Sequence, residues 1–169
     1  MSQTNVQQPS PQIGVGFGPV SKFREIYVLH TAAQNTLAST ITNPVALGDA
    51  LSQSAENVVQ PAVAGDGFRP AGLAAYEAVV NSTGLYGYKP QAGDPIGVYQ
   101  KGRFYIVNVD GLVAFGNELV ASAATPGALR ARPNGNTDPT WGICRVSNEG
   151  VAGAPIEADI DTTVVQMNA

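Results

Sequence analysis

One cysteine, one histidine and one tryptophan are all that 169 residues carry of the side chains most used for nucleophilic, metal-binding and ring-stacking chemistry. A lone Cys144 has no partner for an internal disulfide, and one Cys with one His cannot build a four-ligand zinc cage. Charge is also scarce. Asp, Glu, Lys and Arg make up 13% of the chain, against about 25% in an ordinary soluble domain. No run of Lys or Arg occurs, the net charge is −4 and the pI is near 4.8. A nucleic-acid face needs cations to neutralise phosphates, so no nucleic-acid partner is expected. No apolar run approaches the ~20 residues that span a bilayer. The opening MSQTNVQQPSPQ has neither the basic nor the apolar part of a signal peptide. The expectation is a protein made in a reducing cytoplasm, with no membrane partner. Long stretches of helical periodicity are missing too.

What is present is β texture. The segments REIYVLHT, NVVQPAV, LAAYEAVV, PIGVYQ, RFYIVNV, ELVAS, ALRAR, WGICRV and PIEADIDTTVVQ are short, and Gly, Pro, Asn or Asp bounds each of them. Nineteen Gly and twelve Pro supply those breaks. VYQKGRFYIV reads as a hairpin turning at Lys101-Gly102. IVNVDGLVAF reads as a second, turning at Asp110-Gly111, because both central residues of a type I′ turn need positive φ. LGDALSQSAEN offers one or two helical turns. The expected class is all-β: a compact β-barrel or sandwich with an extended N-terminal arm.

The arm covers residues 1–22, and residues 23–169 form a single β domain. The first charged side chain is Lys22. A neutral segment rich in Gln, Ser, Pro and Gly cannot bury enough apolar area alone to offset its conformational entropy. It has no ionic groups to desolvate when it lies on another protein. Ile13, Val15 and Phe17 alternate, as in a strand laid along a neighbour, and are the candidate partner-contact residues.

The chain also echoes itself. VALGDAL, residues 45–51, returns as VAFGNEL, residues 113–119. Leu47, Asp49 and Ala50 are replaced there by Phe115, Asn117 and Glu118. Next, Gly72-Leu73 is matched by Gly142-Ile143, and AGDPI at 92–96 by AGAPI at 152–156. The three blocks keep their order, with offsets of 68, 70 and 60 residues. They predict two related β-units, residues 45–98 and 113–160, around one core.

The search for chemistry yields little. His30 and Cys144 both sit in apolar strand-like contexts and read as core residues. Glu157, Asp159 and Asp161 alternate on one side of a strand, which suits a solvated acidic face or a calcium ion held with other oxygens. GVGFG at 14–18 lacks the spacing of a phosphate loop. No nucleophile elbow or acid/base pair is evident. No catalytic residue, cofactor or metal is therefore assigned, and an enzyme is not expected.

The run AGDPIGVYQKGRFYIVNVDGLVAFGNELVAS, followed by TWGICRVSNEGVAGAPIEADI, resembles bacteriophage head decoration, or capsid cement, proteins. The likeness lies in the order of features: Gly-Asp before an apolar strand, DG-x-VA-x-G-x-x-L, Trp-Gly-Ile, and a closing AG-x-P-I-x-A-x-I. It covers roughly residues 45–165. It implies a structural virion protein on the outer surface of an icosahedral capsid, bound across major capsid protein subunits and to copies of itself. No catalytic residues come with it. The alternatives are another virion part, such as a tail, fibre or adaptor subunit, or a carbohydrate-directed β-domain; a single Trp is lean for the latter.

Overall fold

The computed structural model describes residues 29–30, 35–46, 48–75 and 90–163. Residues 1–22, with Ile13, Val15 and Phe17, lie outside the described residues, as does Leu47. Among the described residues the chain is all-β, without a helix, in eleven strands. These are β1 (Leu29–His30), β2 (Asn35–Leu37), β3 (Ala50–Ala55), β4 (Val58–Pro61), β5 (Arg69–Ala75) and β6 (Pro95–Ile106). Then follow β7 (Val109–Asp110), β8 (Glu118–Ala121), β9 (Leu129–Ala131), β10 (Gly142–Val146) and β11 (Ile156–Asp161).

The first half closes into a five-stranded barrel. Its ring is β2-β4-β3-β5-β6, completed where β6 pairs back to β2. The β2–β4 contact is parallel and the rest are antiparallel. The second half repeats the same order: β7 parallel to β9, then β8, β10, β11 and the second half of β6. β6 thus serves both halves, handing over from β5 to β11 near Gln100 and Lys101.

The two units agree residue by residue. Leu51 faces Gly72, and Leu119 faces Gly142. Ala74 faces Val98, and Cys144 faces Ala158. Val59 stands beside Leu37, and Leu129 beside Val109. The heptapeptides fold alike: the amides of Gly48 and Gly116 donate to the carbonyls of Ala74 and Cys144. In each turn a side-chain oxygen, of Asp49 or Asn117, accepts from the amide three residues earlier, at 2.9 Å in both. Gly48 and Gly116 adopt φ of 85° and 81°, a region open to glycine without penalty.

The cores correspond as well. The first barrel is filled by Leu37, Val45, Leu51, Val59, Ala74, Ile96 and Val98. At the matching places the second unit, whose described strands are not seen to close into a ring, holds Val109, Val113, Leu119, Leu129, Cys144, Ile156 and Ala158. Where the copies differ, the reason is position. Ala50, Ala62 and Leu73 belong to the second cluster, buried between the units with Trp141 and Ile160. Their counterparts Glu118, Arg132 and Ile143 are not buried, and Glu118 pairs with Arg132 at 2.6 Å. Asp49 reaches across the seam to accept from Asn108 at 2.8 Å.

Three sequence expectations are corrected. Lys101-Gly102 is not a hairpin turn, because β6 runs unbroken through it; the exchange of partners falls between Tyr99 and Lys101, and Gly102 already faces Ile160. Asp110-Gly111 does not join two hairpin strands: Asp110 lies in β7, parallel to β9, where its carboxylate accepts from the Ser122 hydroxyl. LGDALSQSAEN is not helical. Its residues Ala50–Ala55 form β3, flanked by β4 and β5, and Glu56 and Asn57 turn the chain into β4; pairing overrides local propensity.

Candidate functional site

The second unit ends in two loops, residues 111–117 and 147–155, that are tied together by one buried asparagine. Asn148, 5% exposed, accepts through Oδ1 from the Val113 amide at 3.1 Å. Its Nδ2 donates to the carbonyl of Gly111 at 2.9 Å and to that of Ala154 at 3.4 Å. Its backbone amide donates to the Val113 carbonyl, and its carbonyl accepts from the Val151 amide. Gly153 adds a backbone bond to Gly111. Interior amides and carbonyls that would otherwise be orphaned are satisfied this way.

The loops so braced hold three large apolar side chains in solvent: Leu112 at 56% exposure, Phe115 at 69% and Val151 at 62%. Tyr105 in β6 and Val107 just after it are also exposed on the way to this end. Glu149 is the single charged residue within the two loops. An immobilised, nearly neutral apolar end loses little entropy on docking, so it suits contact with another protein surface.

The acidic stretch occupies the outward positions of β11, with Ile156, Ala158 and Ile160 buried between them. Two of its carboxylates face cations. Asp159 accepts from Arg103 at 2.6 and 2.9 Å and from Arg145 at 2.7 Å. The Arg103 hydrogen bonds, opposed by burial, hold Asp159 below the usual carboxylate range. Asp161 is pushed up by burial, but hydrogen bonds from Lys101 and Thr163 outweigh this and leave it lowered. Among the described residues, no group of three His, Cys, Asp or Glu is placed to hold a metal ion.

Cys144 is buried in the second unit at the place of Ala74, with its thiol 3.3 Å from the Val146 carbonyl. Burial pushes its pKa up, which disfavours the nucleophilic thiolate. His30 lies in β1, paired with Tyr99. The structure does not bring their strands together: β1 adjoins β6, whereas β10 adjoins β11 and β8. A groove of about 570 Å³ runs between the units past Ser52, Gln53, Asp66, Arg69 and Asp138. Trp141 borders it but is 2% exposed, so its ring offers no face for stacking on a sugar.

Sequence reasoning missed both Asn148 and the apolar end. Nothing in the sequence singles out Asn148, and Leu112 and Phe115 read as part of the IVNVDGLVAF hairpin. No protein-family model matches the chain, and no curated protein matches it.

Proposed function

We propose that this protein is a structural virion component that decorates and stabilises an icosahedral phage capsid by binding across major capsid protein subunits. Its place is the outer surface of the virion, it associates with copies of itself, and no reaction is involved. The observation that carries this reading is the braced apolar end of the second unit, together with the charge-poor surface and the neutral arm. All three suit lasting contact with protein, and the motif order resembles that of head decoration proteins. The arm at residues 1–22 and a duplicated unit spanning 45–98 and 113–160 belong to the same proposal; the shared turns and registers support it.

The physical mechanism is mass action. A ligand that binds the assembled lattice better than its separated subunits stabilises the lattice. Contacts with two subunits at once raise avidity without a strong single interface. The test is co-sedimentation of the purified full chain with empty shells of the major capsid protein. Saturable binding, weakened at least tenfold by Phe115→Ser, is the expected result. A folded protein that stays in the supernatant at micromolar concentration overturns the reading.

A further inference from the structure

We propose that Asn134 is a self-modification site: the backbone nitrogen of Gly135 attacks its side-chain amide and converts it, without an enzyme, to aspartyl and isoaspartyl forms. The proposal concerns the chain's own chemistry and does not rest on the capsid reading.

Asn134 and Gly135 form the tip of the loop that follows β9. The Asn136 amide donates to the Pro133 carbonyl at 3.1 Å, and Gly135 adopts a φ of 75°, so the tip is a tight turn with glycine in the left-handed region. Both residues are exposed, and a methyl group on Gly135 would meet nothing within 4 Å. Among the described residues, none bonds to the Asn134 side chain or to the Gly135 amide. Electrophile and nucleophile are thus adjacent, unpaired and open to water. Glycine adds no side chain to shield the attacking nitrogen.

The reaction needs only water and hydroxide. Hydroxide takes the Gly135 amide proton, and the nitrogen bonds to Cγ of Asn134. The Cγ–Nδ2 bond breaks, and Nδ2 takes a proton from water and leaves as ammonia. A succinimide ring remains, which water opens at either carbonyl. Opening at Cγ leaves an aspartate on an unchanged main chain. Opening at the main-chain carbonyl routes the chain through the side chain, adds one carbon to it and leaves an isoaspartate.

The same chain supplies the contrast. Asp66-Gly67 and Asp110-Gly111 share the spacing, but both carboxylates are engaged. Asp66 accepts from the Ser52 hydroxyl and the Val63 and Phe68 amides, and Asp110 from the Ser122 hydroxyl. Asn117 and Asn148 are held by backbone amides. Asn57 precedes Val58, whose branched side chain crowds the nitrogen.

The loop is fastened just beyond its free tip. Arg132 donates from Nε to the Asn136 carbonyl at 3.1 Å and from Nη2 to the Asp138 carbonyl at 2.8 Å. Asp138 accepts from the Gly65 amide of the first unit at 3.2 Å, and with Thr137 it lines the groove between the units. An extra main-chain carbon at the tip disrupts the Pro133–Asn136 bond and slackens this wall of the groove.

The test is to hold the folded full-length chain in warm, mildly alkaline buffer, then digest it and map the peptides by mass. The peptide carrying Asn134 is expected to gain the amide-to-acid mass and to split into two chromatographic products of equal mass. Its rate should rise with pH and exceed that of Asn57, Asn117 and Asn148 at least tenfold. Asn134→Gln is an exposed change that should fold as wild type and stay unmodified, and Gly135→Ala should slow the reaction at least tenfold. Hydrogen exchange should quicken at Gly65, Asn136 and Asp138 in the aged protein, but not in Asn134→Asp, which brings the charge without the extra carbon. An Asn134 that keeps its amide as long as Asn117 and Asn148 do overturns the proposal. So does conversion seen only after unfolding in urea, or an undiminished rate in Gly135→Ala. Unchanged exchange in the isoaspartyl product overturns the slackening of the loop.

Discussion

A methyl group on Gly72 would stand 2.2 Å from the carbonyl oxygen of Tyr99, and one on Gly142 would stand 1.9 Å from that of Asp159. Each unit therefore uses a glycine to let its last two strands, β5 and β6 or β10 and β11, approach at the same step of the ladder. Backbone cannot yield as a flexible side chain does. Gly72→Ala and Gly142→Ala should each cost about 3 kcal/mol or more. Gly135→Ala, at positive φ but in open space, should cost only about 1 kcal/mol. Urea unfolding of the three variants checks the contrast.

Replacing Asn148 by Ala would orphan the Val113 amide inside the protein and leave the Gly111 carbonyl with only its bond from the Gly153 amide. Each unsatisfied buried group costs about 1–3 kcal/mol. The expected loss is about 1–3 kcal/mol, with faster hydrogen exchange confined to residues 111–117 and 147–155 before global unfolding. Uniform exchange across both units would show that Asn148 does not brace the loops locally.

Acid should loosen the outer face of β11. Asp159 has a lower pKa folded than unfolded, so the folded state binds its proton less readily. Its stabilising contribution is fully present above the unfolded value, near 3.9, and is lost as pH falls through the lower folded value. Because the carboxylate is partly exposed, the contribution is about 1 kcal/mol or less. Asp159→Asn should flatten the fall in stability below about pH 4 and change the slope little at neutral pH, as read by thermal melts across the range.

The arm should matter for attachment and not for the body. Deleting residues 1–20 should leave the circular dichroism of the β-body near wild type. Shell attachment should weaken tenfold or more, about 1.4 kcal/mol. Unchanged attachment would remove the arm from the mechanism.

The alternation in Ile156–Asp161 was legible because one face of β11 is buried and the other faces water, so pattern and burial coincide. The paired turns at Gly48 and Gly116 were legible for a similar reason: their geometry is local, set by one glycine and one Asx side chain. Gly102 misled because glycine also occurs inside a continuous strand, and Gly111 because it bends the chain after β7, whose partner β9 is parallel and distant in sequence. The apolar end was not legible either. Leu112, Phe115 and Val151 have the composition of core residues, and their exposure follows from where the Asn148-tied loops sit in the fold.

The pairing of Glu118 with Arg132 has one more consequence. In the first unit the same two places are Ala50 and Ala62, the adhesive side by which that unit grips its successor. Likewise Tyr99, packed against the seam, is answered by Asp159 among its arginines. A repeat whose two copies both kept the alanine version would expose that adhesive side on the last copy, ready to recruit the next molecule and grow an open filament. Ion pairs at these positions make the second unit a terminator. They end the series of such seams at two units within the chain.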